Sequence, residues 1–107
     1  MMTFTTLLPT TRNDGSRVSR REMDKIIQSL RDRFGGVTVE GEAKGQWTSP
    51  GGAHGYRDRS VKVTVACNRE RLHEAAEAVR AIGRQLGQRA MWFEVRGADG
   101  VEILEIE

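Results

Sequence analysis

Cysteine is almost missing from this 107-residue chain: Cys67 is the only one, so no intramolecular disulfide can form. A lone thiol fits a reducing compartment, and a cytoplasmic location is the expectation. Histidine occurs twice, at His54 and His73, and no Cys/His spacing resembles a zinc site, so no metal is expected. Neither a P-loop nor a G-x-G-x-x-G turn is present, and no cofactor is expected. Aromatic residues make up only 6% of the chain, and nothing matches the aromatic submotif of RNA-binding sheets. No apolar run nears the roughly 18 residues of a membrane span. No basic residue precedes the short apolar stretch at the N-terminus, which makes a poor signal peptide. Disulfide scaffolds, membrane spans and multidomain enzymes are excluded on these grounds, and nucleic-acid binding is disfavoured.

Charge is plentiful, with 17 basic and 15 acidic residues. The basic excess is mild and spread out, whereas a nucleic-acid binder would show a clustered stripe. Arginine outnumbers lysine 14 to 3, which suits planar anion recognition but also follows from coding bias. The length suits one domain over residues 1–107, with enough apolar material for a two-layer core.

Thr3 to Thr11 reads as a strand stopped by Pro9 and the turn Asn13-Asp14-Gly15. Ser19 and Glu22 form a capping box, with Val18 and Met23 as its hydrophobic staple. Met23, Ile26, Ile27, Leu30 and Phe34 then recur on one helical face, and Gly35 ends the helix. From Val37 the period changes to two. Val37, Val39, Gly41, Ala43 and Gly45 alternate with Thr38, Glu40, Glu42, Lys44 and Gln46, a half-buried strand. Thr48 to Tyr56 holds Pro50, Gly51, Gly52 and Gly55 and reads as a loop. Val61, Val63, Val65 and Cys67 mark a third strand. Asn68 is the expected cap of a second helix, whose stripe is Leu72, Ala75, Ala76, Val79, Ile82 and Leu86. Met91 to Arg96, a turn at Gly97-Ala98-Asp99-Gly100 and Val101 to Ile106 complete a terminal hairpin.

The order β-α-β-β-α-β predicts an α+β, ferredoxin-like split βαβ two-layer sandwich with a C-terminal β-hairpin extension. Two single-stripe helices should cover one face of an antiparallel sheet. The other face must meet water or another chain. Apolar residues crowd Met91 to Ile106 on both faces, which predicts a homodimer built there.

Catalytic residues do not declare themselves. His73 reads as a partly exposed helix residue, and Cys67, in phase with the valines, as a buried structural thiol. The one dense constellation is Trp47, His54, Tyr56, Arg57, Asp58 and Arg59. Arginine forks suit carboxylates and phosphates, and Trp47 and Tyr56 could stack on a planar ligand. The structural reading comes first: the aromatics close the sheet end while Asp58 pairs with Arg57 or Arg59 to pin the hairpin. Two functions follow. The first is a non-catalytic binding or interaction module, with a small anionic ligand as its candidate. The alternative is a small dimeric enzyme of isomerase or cofactor-free oxygenase type acting on an anionic small molecule, held by Arg57 or Arg59, with Asp58 or His54 moving the proton.

The succession Leu8-Pro9-Thr10, Asn13-Asp14-Gly15, Phe34-Gly35-Gly36, Gly45-Gln46-Trp47 and Tyr56-Arg57-Asp58-Arg59-Ser60 resembles small uncharacterised bacterial proteins with the same motif order. It is similar, more weakly, to a bacterial domain family of unknown function that carries a Gly-Gln-Trp strand. The resemblance runs from about Leu8 to Phe93 and implies no activity.

Overall fold

The computed structural model describes residues 2–48, 55–97 and 101–106, with side chains at all of these except 46–48, 55–58 and 101–103. Five strands and two helices follow in the order β1 (Met2–Pro9), α1 (Arg20–Phe34), β2 (Thr38–Thr48), β3 (Gly55–Cys67), α2 (Leu72–Gln85), β4 (Ala90–Arg96) and β5 (Val101–Glu105). The sheet order is β2-β3-β1-β4-β5, and every pairing is antiparallel. Among the described residues no helix is long and apolar enough to cross a membrane.

Helix α1 forms where its sequence signals lie. The Ser19 hydroxyl accepts the Glu22 N–H at 3.1 Å, satisfying one of the orphan donors of the first turn. Gly35 closes the other end by donating to the Arg31 carbonyl at 2.8 Å. Only half of the capping box is made, because the Glu22 carboxylate turns instead to Arg12 and Gln85. Ser19→Ala is expected to cost about 1 kcal/mol, read as a lowered urea midpoint at unchanged slope.

Both helices lie on one face of the sheet. Met23, Ile26 and Leu30 from α1 join Ala75, Val79 and Ile82 from α2 over Phe4, Leu8, Val63, Val65, Phe93 and Val95. Phe4 is fully buried at the centre, 5.4 Å from the rings of Phe34 and of Phe93. Thr6 points into the same core and offsets its burial by donating to the Trp92 carbonyl at 2.7 Å. The thiol of Cys67 is buried there too, and that burial pushes its pKa up, so it stays a protonated, inert packing group.

Three local expectations need correction. Asn68 does not cap α2: its side chain makes no cap bond, and a 3₁₀ turn at Arg69–Arg71 intervenes before the helix starts at Leu72. The Thr48 to Tyr56 loop is shorter than expected. Strand pairing continues to Thr48↔Gly55, because backbone ladder bonds outweigh the turn preference of Gly55. Part of that loop, residues 49–54, and of the expected turn, residues 98–100, lies outside the described residues.

The third correction is the phase of β2. Val39 pairs with Val63, but the next pair is Gly41↔Lys62, leaving Glu40 as an extra residue in a β-bulge. Gly41 sits at φ +100°, where a side chain would be strained, and so lets the backbone absorb the extra residue. Beyond it every residue changes sides. Gly41, Ala43 and Gly45 therefore share the face opposite Val39, and Glu42 and Lys44 take the helix side.

Candidate functional site

Strands β2 and β3 outrun the rest of the sheet. Strand β1 ends against β3 where Thr10 gives both its N–H and its hydroxyl to the Arg59 carbonyl, each at 3.0 Å. Four further pairs follow on β2 and β3, from Gly45↔Asp58 to Thr48↔Gly55. At about 3.3 Å per residue they form a two-stranded arm of about 13 Å.

The register divides the six residues singled out in the sequence. Ser60, Lys62 and Thr64 alternate with core-facing Val61, Val63 and Val65, so they lie on the face the helices leave open. Tyr56 and Asp58 share their phase, and Trp47 pairs with Tyr56. Trp47, Tyr56 and Asp58 thus fall on the open face, and Arg57 and Arg59 fall on the other. Their side chains, other than that of Arg59, lie outside the described ones, and His54 lies wholly outside. Arg59 is exposed, 3.7 Å from Glu42 on its own face. The constellation is therefore a two-sided ribbon rather than one turn region.

The open face at the base of this ribbon carries a polar chain that the sequence reading passed over. Thr64 donates its hydroxyl to Glu40 Oε2 at 2.6 Å. A hydroxyl has a single proton, so the 2.8 Å contact between Thr5 and Thr64 has Thr5 as donor. Lys62 Nζ stands 3.9 Å from the same Glu40 oxygen. Ser60, one register step further out, is only 7% exposed. The bulge brings Glu40 onto this face. An isolated glycine within an alternating strand was the available signal, since such a glycine marks a bulge as readily as an apolar position.

A second cluster fixes the loop between β1 and α1 beside this ribbon. Arg12 donates to Glu22 Oε1, and Gln85 donates to Glu22 Oε2 at 3.1 Å, joining that loop to both helices. Asp14 accepts from the Ser16 N–H and hydroxyl at 2.8 and 2.6 Å. The hydrogen bonds from Arg12 and then Gln85 hold the Glu22 carboxyl below its ordinary value of 4.5. Those from Ser16 do the same for Asp14, and that from Arg71 for Glu74. A carboxyl depressed in the folded state contributes stability above its unfolded pKa and loses it as pH falls through the folded one. Stability should therefore be flat near neutrality and fall below pH 4.5. Urea midpoints across that range check this, and Glu22→Gln should flatten the acid limb. An identical acid limb in Glu22→Gln would remove this carboxyl from the account.

No model of a known protein family matches the chain, and neither does a curated protein. Solved structures do. The chain is similar to a phage SAM lyase in complex with S-methyl-5′-thioadenosine, with a TM-score of 0.73 at 12% identity over 98% of this chain and 88% of that one. A phage SAM lyase in the apo state gives a TM-score of 0.72 at 12% identity over 99% and 90%. At that identity the likeness is one of fold.

Proposed function

We propose that the chain is a small ferredoxin-like enzyme that binds S-adenosylmethionine, or a close S-adenosyl relative, and cleaves a carbon–sulfur bond in it. The fold likeness to a SAM lyase, which runs through nearly the whole chain with β5 included, carries the reading. The residues are compatible with it. A sulfonium sulfur already carries a positive charge and leaves as a neutral thioether with the bonding electron pair. Such a reaction asks the protein for orientation more than for a strong base, and this chain offers two histidines and one buried thiol. The reaction class thus moves from isomerisation or oxygenation to displacement of a thioether by the ligand's own carboxylate, its one anionic group, which closes a lactone on the carbon that the sulfur leaves and needs no proton transfer.

The test is direct. Purified protein incubated with S-adenosylmethionine should release S-methyl-5′-thioadenosine, followed by chromatography, at a rate proportional to protein concentration. No product, together with no calorimetric binding at millimolar ligand, overturns the proposal. Binding without product would return the chain to the non-catalytic module.

The proposal includes a cytoplasmic homodimer. Trp92 is 36% exposed on the open face of β4, and the register puts Ile103 opposite it and Val101 opposite Glu94. An apolar strip there favours a second copy over water. Light scattering at micromolar concentration is expected to give twice the 12.0 kDa chain mass, and Trp92→Glu to halve it. A monomeric wild type would remove the dimer.

A further inference from the structure

Helices α1 and α2 lie antiparallel. Gln85 at the end of α2 donates to Glu22 in the first turn of α1, and Arg33 near the end of α1 stands 3.4 Å from Glu74 in the first turn of α2. The two ends of this layer differ in how their cations are matched. At the Glu74 end Arg33 and Arg71 share Glu74, and Arg80 pairs with Glu77 at 2.7 Å. At the Glu22 end Arg17, Arg20, Arg21, Lys25 and Arg84 are all exposed, and among the described residues none of these side chains has a hydrogen bond or an ion pair. Glu22 is taken up by Arg12 and Gln85, and Asp24 is the one carboxylate in the shallow hollow that Arg20, Arg21 and Lys25 line. In the sequence these charges look scattered. The fold sets residue 84 beside residues 21 to 25.

We infer that this end of the helix layer is a contact surface for the phosphate backbone of a nucleic acid, held without reading its bases. The arrangement is unfavourable in the free protein. Arg20 and Arg21 open α1, where the helix dipole favours anions, and Arg21 and Lys25 are like charges one turn apart. A row of phosphates reverses both costs. Three features select that occupant. Four of the five groups are guanidiniums, whose forks match phosphate oxygens. The charges are spread as a row: Arg21 and Lys25 lie about 6 Å apart along α1, and Arg84 stands on a helix about 8–10 Å away. No single small anion spans them, whereas nucleic-acid phosphates are closely and regularly spaced. Finally, the surface has no apolar anchor. Among the described residues the large exposed hydrophobics are Val39 and Trp92, both on strands. A membrane-binding helix inserts an apolar face, and a protein interface is built around an apolar centre. The inference stands apart from the proposed reaction.

Fluorescence anisotropy of a labelled DNA duplex, titrated with the full chain, tests it. The expected dissociation constant is about 10 μM or tighter at about 50 mM salt, weakening about fortyfold by about 200 mM, as about three phosphate contacts require. Arg21→Gln combined with Lys25→Gln should weaken binding about tenfold or more and lower the salt slope by about two. Lys44→Gln combined with Arg96→Gln removes the same charge from β2 and β4, where both side chains are exposed and also without a partner among the described residues. That pair should leave the salt slope as it is in wild type. Circular dichroism controls for folding, and amide chemical-shift mapping of the wild type reports the surface without a variant: Arg21, Lys25 and Arg84 should move. Equal losses in the two double variants would reduce the effect to net charge and overturn the surface. So would binding to phosphatidylserine vesicles without binding to DNA, or no binding to DNA at about 50 mM salt. Release of S-methyl-5′-thioadenosine is assayed separately, and its failure leaves this surface standing.

Discussion

Phe4→Ala is expected to destabilise the protein by about 3–5 kcal/mol, the range for deleting a fully buried aromatic ring. Phe4 has no exposed surface, and its β1 position is opposite Val65 on one side and Val95 on the other. Its ring meets Phe34 edge-on, at 76°, and Phe93 at a 33° tilt, both at 5.4 Å. Removing it opens a hole between three strands and the end of α1, and neighbours fixed by ladder bonds relax little into such a hole. A domain of this size has about 5–15 kcal/mol in total, so the variant should be marginal. Its melting temperature should drop by roughly 15–25 °C. A drop under a few degrees would mean that α1 does not close over β1 as described.

Gly83→Val is expected to be nearly as damaging for the opposite reason. The first atom of any side chain at Gly83 would stand 2.7 Å from Met91 Cγ and 2.9 Å from Ile106 Cδ1. Those atoms belong to the layer beneath α2, where Met91 is buried and Ile106 packs against the core. The chain end is pinned as well, since the Ile106 N–H donates to the Arg89 carbonyl at 2.8 Å. Overpacking at such a contact costs about 1–3 kcal/mol. Gly83→Ala should cost less, because helix propensity returns up to about 1 kcal/mol. The ordering wild type, alanine, valine in urea midpoint is the expected result. Valine as stable as wild type would mean that α2 rides higher over β4.

How far the sequence could be read depended on how local each signal was. Helix α1 was legible to its cap because Ser19, Glu22 and Gly35 act within their own turns. The core phase of β3 was legible because Val61, Val63, Val65 and Cys67 alternate with Lys62, Thr64 and Ala66. Strand β2 was not. A bulge is set by pairing with a distant strand, and Glu40 looks the same in sequence whether it faces water or Thr64. Gly83 was invisible for a related reason: its lack of a side chain matters only once β4 and the chain end lie beneath it. The six candidate residues were legible as a density of chemistry, but their division between two faces needed the register.

The bulge at Glu40 also bears on how this molecule behaves in a crowded solution. Strand β2 is eleven residues long and borders the sheet, a length that offers a ready template for another chain's backbone. A bend near its start interrupts the ladder, and Glu40, Glu42 and Lys44 then bring charges of both signs to the rim. Flattening β2 by deleting Glu40 would thus lengthen a regular, unpaired edge. Such a chain would be expected to gain a tendency to stack strand on strand and precipitate, even where its own core stayed intact.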